Sequence, residues 1–393
     1  MGAVNISLAN GQLGATAQQE DGIVGMVLTG GVDGYTLGEA LLVTSVANAV
    51  TQGLTATGSP FAYRQVVDFY KLAGAGAKLY LMLCENTLTL VDMTAADGPA
   101  HQLLEYAGGK IKVLGVMTDD TDVYGGSVVV SAGINADVAI AKTNLGILAG
   151  VWFAKQQPFR AIIGGTSYAG VPGDLADQLT GSNNRVAILI GDTDSAPGDA
   201  RDQCCLGLLL GDVAKLPVQR KVSRVANGEL PINVAYVGSI AVGSVGHAED
   251  HKTIETAGYI TFATYSGQAG YYFSPDYMAC AGTDDYAFLC RGRIVDKMHR
   301  IAYSVFVQRV DDEVKINEDG TLDNAFCVWL QTQMENAINT AMVAKGELSS
   351  VNCYIDPSQN ILSTNELNVA LTGLPVGYAS TINVVLGFTN PAV

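Results

Sequence analysis

The chain has 393 residues, enough for two or three domains, and its 48% hydrophobic against 15% charged residues exclude a mostly disordered protein. With 22 basic and 38 acidic residues the net charge is −16, which disfavours direct binding to nucleic acid or to anionic membrane surfaces. The low charge and high apolar content fit either surfaces that partners cover or simply a large, well-packed core.

The cysteines and the start of the chain bear on the cellular compartment. The seven cysteines form no CxxC pair and lie in apolar settings, so we expect small hydrophobic residues rather than a zinc or redox motif. "MGAVNISLANG" does not resemble a secretory signal, and we see no apolar run near the ~18 residues of a membrane span. We therefore expect a protein made in a reducing cytoplasm that stays soluble until it meets a partner.

The first predicted elements precede residue 85. "AVNISLAN" alternates with period two and predicts a strand with Val4, Ile6 and Leu8 on one face. A buried strand is predicted at 23–30 and a helix at 37–53. Pro60 begins a second helix, "PFAYRQVVDFYKLAG", which closes on glycine and leads into the strand "KLYLMLC".

From about residue 98 to 215 predicted helices and strands alternate. The pairs are "AHQLLEYAG" with "KIKVLGVMT", "DVAIAKTNLGILAGVWFAKQ" with "FRAIIGG", and "GDLADQLTG" with "RVAILIGDTD", followed by the helix "ARDQCCLGLLLGDVAK". This alternation predicts an α/β layer with a largely parallel sheet. Residues 216–290 lack this alternation of helices and strands and predict short strands and loops.

Helical periodicity returns in the last third. "RIVDKMHRIAYSVFVQRV" predicts one helix, and "TLDNAFCVWLQTQMENAINTAMVAKG" predicts another, with Asp323 in its first turn and Gly346 as its cap. The apolar side of this last helix comprises Leu322, Phe326, Trp329, Leu330, Ile338 and Met342. Strands are predicted at 351–355 and 363–372. The period-two stretch in "YASTINVVLGFTNPAV" predicts a final strand with one apolar face, made of Ile382, Val384, Leu386 and Phe388.

"HAEDH" at 247–251 places two histidines four residues apart, as on a metal-binding helix. Ala248 stands where the zinc-protease motif needs glutamate, and the flanking "VGSVG" indicates a loop. We favour a solvated loop over a metal site.

Asp192 and Asp194 follow a predicted buried strand, where open α/β sheets bind ligands, and two carboxylates could hold Mg²⁺. The chain has no GxxxxGK[ST] and no GxGxxG that opens a helix. We therefore favour turn and cap roles for these aspartates, and for the acidic turn at 118–122. The glycines at 164–165 also lack a phosphate-loop spacing, and no histidine stands out as a base for a serine or cysteine. We expect no enzyme and no cofactor.

A terminal strand can pair within its own sheet or add to a neighbour's sheet. Burying the four apolar side chains of 382–388 contributes about 6–12 kcal/mol, at about 1.5–3 kcal/mol each. Ordering ~8 residues of backbone costs about 8–16 kcal/mol. One arm alone is therefore close to break-even, whereas several simultaneous contacts gain from effective concentration.

The order of elements in the last third is distinctive. An arginine-flanked helix ("RGRIVDKMHRIAYSVFVQ"), an acidic turn, a Trp-containing helix ending on "AKGEL", the strand "VNCYID" and two closing strands follow one another. This order resembles the assembly domain of contractile phage tail sheath proteins. "VVDFYKLAGAGAKLYLMLC" is similar to the family's helix–glycine–strand segment near the N-terminus. The middle departs from the family, because "GVWFAKQQP" replaces its Pro-rich Gly-Pro-Trp region, which indicates a compact, divergent branch.

The resemblance implies a mixed α/β (α+β) fold with several domains. We expect an N-terminal arm (1–20), an α/β sheath domain (21–290) with an irregular strand-rich part (216–290), a C-terminal assembly domain (291–376) and a C-terminal arm (377–393). It also implies a structural subunit that stacks in six-membered rings around an inner tube and contracts to drive the tube through a target envelope.

The implied partners are other copies of the chain, the inner tube, the baseplate and the tail terminator, with the target membrane met only indirectly. The implied location is a virion tail or injection particle, assembled in the host bacterial cytoplasm. The strands 4–8 and 382–388 would be donated to neighbours, whose accepting sheet includes 351–355 and 363–372.

The helices 294–309 and 322–345 would line the tube-facing layer. The candidate tube- or neighbour-facing cations are Arg291, Arg293, Lys297 and Arg300. A solvated helix face is the alternative for these four residues. Two rivals to the sheath remain: an α/β enzyme or nucleotide-binding protein that uses Asp192 and Asp194, and another tail component such as a tube or baseplate protein.

Overall fold

A computed structural model describes residues 20–31, 34–120, 128–193 and 203–387. The chain divides into two compact units, Met1–Val307 and Gln308–Val393. The boundary predicted from the sequence, at 290/291, lies 17 residues earlier (307 minus 290). The predicted N-terminal strand with Val4, Ile6 and Leu8 lies outside the described residues, as do Asp194 and Phe388.

The strands of the first unit form one large sheet and several short pairings. They are β1 (Val24–Gly30), β2 (Ala40–Val43), β3 (Leu79–Glu85), β4 (Val113–Met117), β5 (Val130–Ser131), β6 (Ile134–Asn135), β7 (Arg160–Gly164), β8 (Ser182–Asn183), β9 (Val186–Leu189), β10 (Asp192–Thr193), β11 (Ala235–Val237), β12 (Ile240–Ala241), β13 (Phe262–Ala263), β14 (Tyr272–Phe273) and β15 (Ala279–Cys280).

The large sheet has the order β2-β3-β1-β4-β7-β9. Five of its strands are parallel, and β2 pairs antiparallel with β3 at one edge. The register is regular, since Val24 of β1 lies between Leu79 of β3 and Val113 of β4. The strands are near-continuous apolar runs because helices cover both faces, as is usual for parallel sheets.

The helices of this unit are α1 (Val46–Thr51), α2 (Pro60–Ala73), α3 (Leu90–Met93), α4 (Pro99–Ala107), α5 (Asp137–Ala154), α6 (Leu206–Lys215), α7 (Asp250–Thr256) and α8 (Leu289–Phe306). Helices α2 and α6 pack on one face of the sheet, and α4 and α5 pack on the other. Short 3₁₀ turns lie at Glu20–Gly22, Pro172–Asp174, Gln178–Thr180, Val225–Asn227 and Val307–Arg309.

Two local predictions were wrong. The segment 37–53, predicted as one helix, contains the strand β2 followed by the short helix α1. A strand forms here because Ala40–Val43 pairs antiparallel with β3, which is distant in the sequence. The helix predicted at 173–181 is two 3₁₀ turns, and the N–H of Gln178 there donates to the carbonyl of Ala257. In both places tertiary pairing overrides a local periodicity.

Helix α5 corrects the prediction that no apolar stretch is long enough for a membrane span. It has 18 residues with a mean hydropathy of 1.2, sufficient by length and composition alone, and 33% of it is buried. Leu145 and Trp152 are among its residues that pack inward. Its outward face carries Ile140, Ile147 and Val151, which are 50%, 64% and 46% exposed. One side of this helix is therefore buried and the other is exposed, and both sides carry apolar residues.

The second unit contains a helix on a two-stranded sheet. Its elements are α9 (Asn324–Ala341), a 3₁₀ turn (Val343–Lys345), β16 (Leu348–Tyr354), α10 (Ile361–Thr364) and β17 (Ala370–Pro375). The Asp323 carboxylate accepts from the Phe326 N–H and caps α9, so it lies one position before the predicted first turn. Gly346 ends the helical segment with φ of 71°, as predicted.

The predicted apolar face of α9 is confirmed at Leu322, Leu330, Ile338 and Met342, which are buried, and Cys327 and Met334 are buried with them. Trp329 is the exception, because it is 39% exposed and lies under the Arg309 guanidinium at 4.8 Å. The strand predicted at 363–372 is also shorter. Its first part includes the end of α10, and β17 begins only at residue 370.

Candidate subunit-assembly site

The carboxyl end of a parallel sheet is where α/β proteins usually bind ligands, so its polar residues were the first candidates. The Asp120 carboxylate there accepts hydrogen bonds from the Thr118 hydroxyl (2.7 Å), the Asn135 amide (2.8 Å) and the Ser167 hydroxyl (2.8 Å). All three donors belong to the same unit. The carboxylate therefore joins loops that are distant in the sequence, which is a different role from the local turn predicted for the acidic segment.

The parallel strands have the order β3-β1-β4-β7-β9, so the order reverses between β1 and β4. At this point the Asp119 N–H donates to the Thr29 hydroxyl at 2.9 Å. The Gly31 N–H donates to the Ser59 hydroxyl, also at 2.9 Å. Polar groups that a ligand in this crevice would contact are therefore already bonded to other residues of the chain.

Asp192 has a structural partner that the sequence did not indicate. Its carboxylate binds the Arg64 guanidinium through two contacts, of 2.5 and 2.9 Å, and both side chains are buried. Arg64 also donates to the Gln203 amide oxygen at 3.1 Å. An aspartate held in this way links β10 to α2 and is not available to Mg²⁺, so its role is an ion pair rather than the predicted turn or cap.

The two histidines at 247–251 do not form a metal centre. His247 Nδ1 lies 2.8 Å from the Asp250 carboxylate. His251 is buried in α7, which corrects the prediction that the whole segment is a loop. Across 20–31, 34–120, 128–193 and 203–387, no group of three His, Cys, Asp or Glu side chains is arranged to hold a metal ion.

All seven cysteines are free and buried, as their apolar settings predicted. Burial raises the pKa of the Cys280 thiol to about 11, and does the same for Cys353. The reactive thiolate is therefore disfavoured at both positions, which is typical of structural cysteines.

The predicted cations of α8 converge on one aspartate. The Asp21 carboxylate binds Lys297 at 2.6 Å and Arg300 at 2.8 Å, while Arg293 donates to the Asp21 carbonyl at 3.3 Å. Burial alone would raise the pKa of Asp21, but the hydrogen bonds and charges of Lys297 and Arg300 outweigh it and lower this pKa. The residues are 272–279 positions apart, so no local sequence signal could have revealed the cluster.

Because of this cluster, fewer of the four predicted cations face outward. Arg293 and Lys297 are 4% and 7% exposed and point into their own unit. Arg291 and Arg300 are half-buried, and Arg291 lies 5.3 Å from the Phe288 ring. Only these last two remain candidates for a tube- or neighbour-facing charge.

The second unit contains a two-stranded sheet with one exposed face. β16 and β17 pair antiparallel, with Cys353 opposite Leu371, and α9 covers one face. The other face is exposed, including Tyr354 and Leu374 at 54% and 60%. Because two-stranded sheets are marginally stable alone, further strands would stabilise this one.

The segment that follows β17 pairs with no strand in the described part of the chain. Residues 376–387 contain no strand, and Ile382, Val384 and Leu386 are 78%, 71% and 90% exposed. These are the side chains that the period-two pattern placed on one face. A row of exposed apolar residues outside any helix or strand is a typical binding element.

Comparison with solved structures assigns the fold. The chain is similar to the contracted helical sheath of the anti-feeding prophage, with a TM-score of 0.62, 14% identity and 98% of each chain covered. It is also similar to the contracted sheath of the extracellular contractile injection system PVC, with a TM-score of 0.60 and 12% identity over 99% of this chain and 97% of that one. A sheath tail protein from Desulfitobacterium hafniense matches with a TM-score of 0.52 and 10% identity, over 95% and 100%.

The fold is therefore that of sheath proteins from contractile injection systems and phage-like tails, as the resemblance implied. The chain belongs to the DUF2586 family, whose N-terminal domain model matches residues 1–276 and whose C-terminal domain model matches 285–393. A comparison with curated proteins finds no match.

Proposed function

We propose that this protein is a structural subunit of a contractile sheath and that it polymerises around an inner tube by exchanging strands. One observation carries the proposal: a chain with the sheath fold has a two-stranded sheet and, in the same unit, a stretch with an apolar period-two face, 382–386, that joins no described strand. Pairing with a sheet would bury the exposed apolar face of 382–386, and further strands would stabilise the two-stranded sheet of β16 and β17.

In this proposal the C-terminal segment of one copy adds to the β16–β17 sheet of the next. The predicted N-terminal strand, with Val4, Ile6 and Leu8, would add to the sheet of another copy. The gain per arm is small, so a stable polymer requires many copies to be linked at once. This property suits a protein that must stay soluble until assembly begins.

The wider assembly follows from the same proposal. Six-membered rings would stack around a tube and meet a baseplate and a tail terminator, within a virion tail or injection particle assembled in a bacterial cytoplasm. Helices α8 and α9 would lie toward the tube, with Arg291 and Arg300 facing the tube or a neighbour. With a net charge of −16, direct nucleic-acid binding is not part of this function.

The energy for contraction would be stored in the contacts between subunits, so the proposal needs neither a nucleotide nor a cofactor. Two features support this. Asp192 is paired with Arg64, and the Asp120 carboxylate is bonded to neighbouring side chains. The candidate ligand site for an enzyme at the carboxyl end of the sheet is thus occupied by internal bonds.

Negative-stain microscopy of the purified chain tests the proposal. Long, striated, hollow cylinders are expected, with or without added tube protein. A chain truncated after Ser380 should remain a folded monomer, since Ile382, Val384 and Leu386 are exposed in the single chain. A persistent monomer that binds nucleotide would overturn the sheath proposal. Unfolding of the truncated chain would show instead that the segment belongs to its own core.

A further inference from the structure

Helix α5 carries apolar residues on the side that faces away from its own sheet. Ile147 lies in the middle of this side and is 64% exposed, while Ile140 and Val151, two turns before it and one turn after it, are 50% and 46% exposed. At about 100° per residue, Thr143 and Ala154 fall on the same side, and both are exposed. These five residues form the outer face of α5. A helix that is apolar all round is normally buried, so this face indicates a partner.

The outer face of α5 is uncharged. Lys142 is the one ionisable residue of 139–154, and its ammonium donates to the Gln178 amide oxygen at 2.9 Å, on another side of the helix. The whole chain has a net charge of −16, so two copies can approach most closely where charge is absent. The same net charge disfavours an anionic membrane, and the buried side chains of Leu145 and Trp152 hold α5 in its own unit.

The outer face of α5 is complementary to itself when one helix is reversed. If two copies pack antiparallel with Ile147 opposite Ile147, residues equally far from this position lie opposite each other. Each larger side chain then meets a smaller residue: Ile140 meets Ala154, Asn144 meets Gly150, and Val151 meets Thr143. A Cβ added at Gly150 would have no atom within 4 Å, so a second helix finds open space there. Antiparallel packing also opposes the two helix dipoles, which is favourable.

We propose that two free copies of this chain pair through the outer face of α5, antiparallel and with Ile147 on the two-fold axis. Such a contact closes on itself, so it gives a dimer and no polymer. An 18-residue helix is about 27 Å long and about 10 Å wide, so each copy contributes about 270 Å². This is well below the ~800 Å² per partner of standard interfaces, so the dimer forms only at high protein concentration. It does not involve 382–386 and is independent of strand exchange.

Cysteine cross-linking tests the pairing, because all seven native cysteines are buried and an introduced exposed thiol is the reactive one. All variants carry Val384→Asp, which weakens the proposed donor segment, so that polymers do not contribute. Ile147→Cys should form a disulfide-linked dimer about tenfold or more faster than Val245→Cys, which introduces a thiol at a valine that is 101% exposed and lies outside the outer face of α5. Equal rates for the two variants would overturn the proposal.

Two further cysteine variants test the antiparallel register. Ile140→Cys and Ala154→Cys bring their thiols together only between two different chains. Two copies of residue 140 are separated by about 21 Å along the pair, which is too far for a disulfide. A mixture of the two variants should therefore give the mixed dimer about tenfold or more faster than either variant gives its own dimer. Dimers that form as fast from each variant alone would contradict the register.

Sedimentation at increasing protein concentration tests the contact without cross-links. The chain with Val384→Asp should show a rising average mass, and adding Ile147→Asp should abolish this rise without changing the melting temperature, because the side chain is exposed. A constant mass without cross-links, together with binding to phosphatidylcholine–phosphatidylglycerol vesicles that Ile147→Asp abolishes, would assign the face to a membrane and overturn the pair. Absent cylinders from the wild-type chain would refute the sheath proposal and leave these results unaffected.

Discussion

Burial and charged partners that are distant in the sequence shift the pKa values of individual aspartates in this protein. Asp212 of α6 is 5% exposed, and burial raises its pKa to about 6 although Lys215 and Arg293 act in the opposite direction. Asp21 shows the reverse balance, because its cations outweigh burial and lower its pKa. Two aspartates of one unit therefore make opposite contributions to stability as the pH changes.

The first prediction concerns Asp212. Its folded-state pKa is raised above the ordinary 3.8 to about 6, so the folded state holds a proton that the unfolded state has lost between these values. The free energy of unfolding should therefore fall by about 2 kcal/mol as the pH rises from 4 to 6. Asp212→Asn should remove this fall and be the more stable protein at pH 7.

Denaturant unfolding of both chains at several pH values measures the difference. The Asp21 contribution has the opposite sign, since its lowered pKa means that stability is lost as the pH falls below about 4, and it is common to both chains. Parallel stability profiles for the two chains from pH 4 to 7 would refute the assignment.

At the scale of elements, α2 and α6 approach each other through glycines. A Cβ at Gly211 would lie 2.4 Å from the Phe69 carbonyl oxygen, and one at Gly207 would be closer still to the Gln65 carbonyl. Gln65 also caps α6, because its side-chain oxygen accepts from the Gly207 N–H at 2.7 Å. Backbone contact at this crossing fixes α6 over the sheet.

Gly211→Ala should therefore destabilise the first unit by about 1–3 kcal/mol, since neither backbone can yield without moving a helix. Gly150→Ala on α5 is the matched control. It is also a helical glycine, but nothing lies within 4 Å of the added methyl group, so it should be neutral or stabilising by up to about 1 kcal/mol. Thermal unfolding compares them, and equal effects would contradict the close crossing.

The sequence predicted elements well where one local pattern decided them. The buried strands β1, β3, β4, β7 and β9 are apolar runs, and α2 has proline at its start and glycine at its end. It failed at Ala40–Val43, where pairing with β3 decides the conformation. The partners of Asp21 and Asp192 lie more than 100 residues away, so the candidate ligand site could be judged only from the fold.

At the scale of the whole molecule, the sequence pattern and the fold both bear on the C-terminal segment. The pattern of Ile382, Val384 and Leu386 predicted a strand, and in the single chain these residues are exposed and pair with no described strand. In the proposed function such a segment would pair with the β16–β17 sheet of a second copy and link the subunits.

Substitution within this segment tests the link most directly. Val384→Asp places a charge on the apolar face, and Val385→Asp places the same charge on the opposite face, one residue away. Both side chains are exposed, at 71% and 97%, so neither change should alter the stability of the monomer. Measured by microscopy and sedimentation, Val384→Asp should abolish cylinders and Val385→Asp should retain them. Cylinders that persist in Val384→Asp as in the wild type would contradict strand exchange through this segment.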